Sequence, residues 1–230
     1  MRILAFDTST NWCNVAFVDD RGATERDEPA GNAQSERLLP LAREVLRGAG
    51  ATLQDVDAIA FGAGPGSFTG VRIAASVAQG LALGLDRPVI GVCTLEAIAW
   101  QARNDHAVDR VLACTDARMG EVYVAAYEWR QERWHEVIPP GVLEPDAVQL
   151  PSAQPWSGCG NAFAAHARLA ERLSLSAIFG EVRATGLAIA RLARGRLTTG
   201  KHGDPAHALP LYVRHRVALT TAEREAGLRL

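Results

Sequence analysis

Two stretches of this chain carry residue types that could do chemistry. Residues 62–74 read Gly-Ala-Gly-Pro-Gly-Ser-Phe-Thr-Gly-Val-Arg-Ile-Ala, with glycines at 62, 64, 66 and 70. Those glycines let the backbone adopt positive φ and approach another surface closely. A short apolar run at 58–61 precedes them and reads as a buried strand. A helix is expected over 71–85, with Ser67 or Thr69 able to cap it. Strand, glycine loop and helix N-terminus together make an anion site, because free N–H groups and the positive end of the dipole converge on one point. The loop is neither a Walker A, since no Gly-Lys-Ser/Thr follows, nor a Gly-x-Gly-x-x-Gly fingerprint. A tight strand-to-helix turn that binds nothing is the competing reading.

The second stretch is Asp7-Thr-Ser-Thr10, at the end of an apolar strand over 2–7. A carboxylate and three hydroxyls at one strand end can hold Mg²⁺ or a phosphate. The same residue types also simply close tight turns. Together the two stretches nominate Asp7, Gly64, Gly66, Ser67, Thr69 and Gly70 as a phosphate-loop-like set.

The elements that must position them follow from periodicity. After the first strand and a turn at 8–11, residues 14–18 return as a second strand, with another turn at 19–22. Residues 28–33 are polar and read as mobile. A helix is expected over 35–48, with Pro40 in or near its first turn and Leu38, Leu41, Ala42, Val45 and Leu46 repeating at three and four. In the helix over 71–85, Ile73, Val77, Gly80, Leu81 and Gly84 form one face. Val71, Ala74, Ala78, Ala82 and Leu85 continue it, leaving a narrow polar stripe of Arg72, Ser76 and Gln79. That arc is wider than one sheet contact needs, so the helix is expected to meet a second helix as well, of this chain or of another. A strand over 88–93 and a helix over 94–102, capped by Thr94, complete an α/β lobe at 1–106.

Residues 107–230 read as a smaller α/β lobe. It has a strand over 110–118 and a hairpin or meander over 121–129 and 134–138. Connecting chain at 139–155 leads to a turn at 156–160, then helices over 162–173 and 185–197. Beyond a loop at 199–205, residues 211–214 read as extended and 221–230 as a final helix or tail. The extreme C-terminus is allowed to pack back on the first lobe. No internal repeat is visible.

Bulk properties narrow the classes. The chain has 230 residues, 48% of them apolar and 22% charged, with a net charge of −2. That balance argues against a free-standing nucleic-acid binder, although the excess of Arg over Lys leaves room for a local basic patch. No signal peptide and no apolar run of about 20 residues is seen, so no membrane contact and a cytoplasmic location are expected. The four cysteines, at 13, 93, 114 and 159, form no Cys-x-x-Cys pair and read as free buried thiols. No His-Glu-x-x-His occurs, and neither a metal site nor a cofactor is expected.

Taken together, the segments resemble the bacterial TsaB family, which helps make N6-threonylcarbamoyladenosine beside the anticodon of tRNA. The carriers are Leu4-Ala-Phe-Asp-Thr-Ser9, Ser35-Glu-Arg-Leu-Leu-Pro40, residues 64–74, Asp116-Ala-Arg118 with Glu121-Val-Tyr123, and residues 210–218, Pro-Leu-Tyr-Val-Arg-His-Arg-Val-Ala. The resemblance implies the actin-like, sugar-kinase-like ATPase fold: two related α/β lobes, the second reduced. It also implies a catalytic relative, TsaD, with a His-x-x-x-His metal pair after the strand that follows its glycine loop. Here Thr94 and Ile98 occupy those places, and isoleucine cannot ligate a metal. No catalytic residue is therefore assigned.

The implied role is an inactive scaffold that forms a heterodimer with TsaD, helps recruit the ATPase TsaE and meets tRNA only through the complex. Alone, it is expected to form a homodimer. The implied interface is the helix pair 35–48 and 71–85, with Leu38, Leu41, Val45, Val71, Ala75, Ala78 and Ala82 facing the partner. A large or charged residue at Ala78 or Ala82 is then expected to leave the monomer folded but weaken association. Gln34 and Thr185 depart from the family pattern, where His and Pro are common, and look peripheral. The alternative is a nucleotide-binding, kinase-like enzyme of the same fold. Such chemistry needs a positioned base and a complete set of phosphate loops, and Gly158-Cys-Gly160 is a weak candidate for the second one.

Overall fold

The structure is a computed structural model that describes residues 1–200 and 203–214. The expected helix or tail at 221–230 and part of the loop at 199–205 lie outside the described residues, as does the end of the 210–218 motif.

Ile3–Asp7 (β1) has no exposed residue, as an almost wholly apolar strand covered on both faces should not. It folds back onto Trp12–Val18 (β2), with Asp7 opposite Asn14, and β2 pairs antiparallel with Ala23–Pro29 (β3). Of the stretch expected to be mobile, residues 30–33 are irregular chain and turn, while 28 and 29 belong to β3, a strand not expected from the sequence. Its Glu25, Arg26, Asp27 and Glu28 mark a charged edge strand, which lacks the apolar alternation that reveals an inner one. On the other side of β1, Ala58–Gly64 (β4) and Val89–Cys93 (β5) add in parallel, giving the order β3-β2-β1-β4-β5.

Gln34–Gly48 (α1) and Phe68–Leu85 (α2) cover one face of this sheet, burying Leu4, Phe6, Val15, Phe17, Ile59 and Phe61 against Leu38, Leu41, Val45, Ala74, Ala78 and Ala82. Pro40 is the seventh residue of α1, not a first-turn residue. It therefore removes an i→i−4 bond from within the helix. α2, at 18 residues, is long and apolar enough by composition to cross a membrane, but a third of that window is buried in the fold. Thr94–His106 (α3) follows β5. The cap position is Cys93. Thr94 is instead inside the helix, its hydroxyl donating to Ser9 Oγ at 3.4 Å.

The second half repeats the first in backbone, though not in sequence. Arg110–Arg118 (β6), Glu121–Arg130 (β7) and Arg133–Leu143 (β8) form an antiparallel meander. Ser157–Cys159 (β9) and Ala177–Phe179 (β10) add in parallel beyond β6. The order β8-β7-β6-β9-β10 matches the first sheet strand for strand. This is the actin-like, sugar-kinase-like arrangement, the second lobe keeping all five strands with β9 and β10 cut to three residues each. β8 runs through Pro139 and Pro140, within the expected connecting chain; an edge strand with bulged pairing tolerates proline. The expected helix at 162–173 is broken into Ala162–Ala165 (α4) and Ala167–Arg172 (α5) at His166, whose φ of −129° and ψ of 79° leave the helical region.

Gly186–Thr198 (α6) crosses back over the proposed boundary at 106. It lies on β1 and β2, and with α3 it fills the space between the two sheets. A Cβ at Gly186 would come within 2.7 Å of the Ala16 nitrogen, so that glycine sets how closely the helix approaches. Thr185 is its N-cap, accepting from the Ala188 N–H at 3.1 Å and donating to Gln101 Oε1 at 2.8 Å. It is a structural residue of the lobe junction, not a peripheral one.

Candidate functional site

The β1–β2 hairpin is seated directly on the glycine loop. Asp7 is fully buried; its carboxylate accepts the Ser9 N–H at 3.1 Å and the Ser9 hydroxyl at 2.8 Å. The Thr8 hydroxyl donates to the Gly70 carbonyl at 2.7 Å, and the Ser67 N–H donates to the Ser9 carbonyl at 2.7 Å. From the other side the buried Gln34 amide donates to the Thr10 carbonyl. Gln34 thus holds the hairpin, a role its polar position in the sequence did not reveal.

The loop glycines are explained by this contact. A Cβ at Gly62 would collide with the Asp7 carboxylate, one at Gly66 would lie 2.5 Å from the Ser9 carbonyl, and one at Gly70 would overlap the Thr8 carbonyl. Gly64 has φ of +103°, which favours glycine. Ser67 is the N-cap of α2, its hydroxyl accepting the Gly70 N–H at 3.4 Å, while Thr69 is exposed. The nominated set is therefore brought together, but around the protein's own chain. What faces Gly66 and Gly70 is a pair of carbonyl oxygens, which repel a phosphate. Burial raises the Asp7 carboxyl to about 6, against the opposing pull of the Ser9 donors.

The second lobe repeats the device. Gly160 follows β9 with φ of +107°, and a Cβ there would strike the Cys114 carbonyl; one at Gly158 would lie 2.6 Å from the Phe163 ring. This weak candidate for a second phosphate loop is also filled from within.

Between the lobes lies a cleft of about 610 Å³. Its walls are the β1–β2 hairpin, the start of α2, the β6–β7 turn and a strap at 211–214. In the turn, Arg118, Met119 and Gly120 all have φ between +56° and +77°. Asp116 accepts the Arg118 N–H at 3.0 Å, with His166 Nε2 at 3.5 Å. The strap is fastened to both lobes. Leu211 N–H donates to the Ala63 carbonyl at 2.7 Å, Arg72 Nε donates to the Tyr212 hydroxyl at 2.8 Å, and Arg214 donates to the Ala117 carbonyl at 3.1 Å and to Glu121. Residues 211–214 are irregular chain rather than a strand.

The nominated interface needs correction. Leu38, Leu41, Val45, Ala75, Ala78 and Ala82 are all buried against the chain's own first sheet, and Val71 is buried beside Gly64 at the edge of the cleft. The wide apolar arc of α2 has two sides, and the small alanine side lets the helix lie close on the sheet. The outer side shows Ser76, Gly80, Leu83 and Gly84, flanked by half-buried Ile73, Val77 and Leu81; Leu39 is exposed on α1. A Cβ at Gly80 or Gly84 would meet nothing within 4 Å. The fold does not need either glycine, and a helix interior prefers alanine by about 1 kcal/mol at each.

Comparison with known proteins agrees with the sequence. The family model described as TsaD, tRNA N6-adenosine threonylcarbamoyltransferase, matches residues 28–190. The chain is 40% identical over 224 residues to the tRNA threonylcarbamoyladenosine biosynthesis protein TsaB of Escherichia coli K12, covering 95% of this chain and 96% of that one. It is 39% identical over 182 residues to the protein of the same name from Haemophilus influenzae, covering 75% and 77%. Among solved structures, YeaZ from Pseudomonas aeruginosa superposes with a TM-score of 0.84 at 38% identity, covering 92% of this chain and 99% of that one. A protein from the same organism, described as uncharacterized with similarity to peptidase YEAZ, superposes with a TM-score of 0.87 at 38% identity over 93% and 99%.

Proposed function

The chain belongs to the TsaB family and has a role in tRNA threonylcarbamoyladenosine biosynthesis, and within that role we propose that it is a non-catalytic subunit that binds and stabilises TsaD. The observation that carries this is the outer face of α2. Two exposed glycines one turn apart, needed by nothing among the described residues, let a partner helix approach its backbone closely. Ile73, Val77 and Leu81 beside them supply the apolar flanks. In the absence of TsaD the same face closes on a second copy, giving a homodimer. TsaE docks near the resulting helix junction, tRNA is reached through the complex, and the assembly works in the cytoplasm.

Two observations support the absence of catalysis by this subunit. Ile98, at the expected place of a metal ligand, is fully buried in the core between the sheets. The phosphate-loop-like set packs Gly66 and Gly70 against the Ser9 and Thr8 carbonyls, whose oxygens disfavour a phosphate beside them. Light-scattering size-exclusion chromatography of the protein alone and mixed with TsaD of its own organism tests the proposal. A new one-to-one species replacing any homodimer is expected. Two species eluting unchanged would overturn the scaffold role.

A further inference from the structure

We propose that the mouth of the interlobe cleft, around Phe68, Arg72 and Tyr212, is a contact surface for an unpaired stretch of RNA. The proposal rests on the role in tRNA modification and adds a direct contact to it. The Arg72 guanidinium lies 3.6 Å from the centroid of the Phe68 ring and 5.7 Å from that of Tyr212, and its hydrogen bond to the Tyr212 hydroxyl ties strap to helix. Both aromatic residues are nonetheless half exposed, Phe68 at 52% and Tyr212 at 51%. The result is a pair of pre-positioned aromatic surfaces on either side of a cation, at small conformational cost to any ligand that stacks on them.

Charge favours the same ligand. Among the described residues the cleft is lined by Arg72, Arg118, Arg214 and Asp116; Arg118 pairs with Asp116 and Arg214 with Glu121, so the positive surplus at the mouth is carried by Arg72, on a chain whose net charge is −2. α2 begins at this point, so its positive end adds to the cationic field. The deeper floor is closed to phosphates by the Thr8 and Ser9 carbonyls against the glycine loop. An anionic ligand is thereby kept at the mouth, where a strand can cross, instead of being swallowed as a single nucleotide. Aromatic faces interleaved with arginine suit stacked bases and a phosphate backbone.

The test places a photoreactive benzophenone amino acid at position 68 or 212 of the full chain, in cells lacking the native copy. Position 143, an exposed leucine at the end of β8 in the second lobe, is the control. After irradiation, RNase-sensitive labelled RNA is expected on the protein at 68 and 212, at least tenfold above 143. Introducing Arg72→Glu should lower that yield at least fivefold while the thermal midpoint stays within a few degrees. Adducts to protein alone, or none, at both positions would overturn the proposal. Threonylcarbamoyladenosine content of tRNA from the same cells separates the two claims. Normal modification without RNA adducts defeats this contact and leaves the family role standing. Modification unchanged when the gene is deleted defeats the role, whatever the adducts show.

Discussion

Replacing Gly80 and Gly84 together by alanine should make the isolated subunit more stable and its complex weaker. Both residues are exposed, Gly80 inside α2 and Gly84 in its last turn, and the added methyl groups meet nothing within 4 Å among the described residues. Each substitution then returns the helix propensity that glycine forfeits, about 0.8–1 kcal/mol. Two of them give roughly 1.5–2 kcal/mol, which for a chain of this size raises Tm by about 3–8 °C. In a helix pair packed through those glycines, the same methyl groups occupy the space of the partner backbone. Overpacking of that kind costs about 1–3 kcal/mol, or roughly 5- to 150-fold in affinity. Tm is measured by circular dichroism at a concentration where light scattering reports monomer, so that loss of a homodimer does not mask the gain. Affinity for TsaD is measured by titration calorimetry. A higher Tm with unchanged affinity would refute the docking face, and a lower Tm would refute the claim that the glycines are free of the fold.

Ala78→Asp puts a carboxylate among fully buried apolar residues, so circular dichroism should show loss of the folded subunit; a folded, non-associating variant would restore the earlier interface assignment. Gly70→Ala drives a methyl into the Thr8 carbonyl and should lower stability by more than about 3 kcal/mol, read by urea unfolding. Asp7 titrates at about 6 in the fold against an ordinary 3.8. The folded state therefore binds this proton more tightly than the unfolded one. That contribution is fully present below pH 4 and is lost as pH rises through 6, by roughly 3 kcal/mol. Asp7→Asn can still accept the Ser9 N–H, so its urea midpoint should fall less between pH 4.5 and 7.5 than that of the natural protein. Parallel losses in the two proteins would remove Asp7 as the source.

The sequence was most legible where one physical signal acted alone. Uninterrupted apolar runs marked β1, β4 and β5, and the three-and-four spacing of Leu38, Leu41, Val45 and Leu46 marked α1. It was least legible at sheet edges. β3 is almost all charge, and β9 and β10 are three residues each, too short for alternation to show. The repeat of topology stayed hidden because strand order depends on pairing and burial, which many side-chain choices satisfy. At the site, the glycines were found but not what they face, since Thr8 and Ser9 carbonyls carry no side-chain signature. The helical projection of α2 showed a double apolar arc and could not say which side met the sheet. Phe68 and Tyr212 lie 144 positions apart in the chain and become neighbours only through the strap.

The crossing of α6 back onto the first sheet has a consequence for the order of events at the ribosome. The inward side of β1 and β2 carries Ile3, Ala5 and Val18, and its cover includes Ala188, Ile189 and Ala193. Those residues are translated roughly ninety positions after the first lobe appears complete, which at ~5–20 residues per second is about 5–20 s of synthesis. Through that interval a nearly finished lobe presents a naked apolar sheet face to solvent. Nascent chains halted before residue 186 should therefore be held by chaperones or aggregate, and those extended past 198 and out of the tunnel should not.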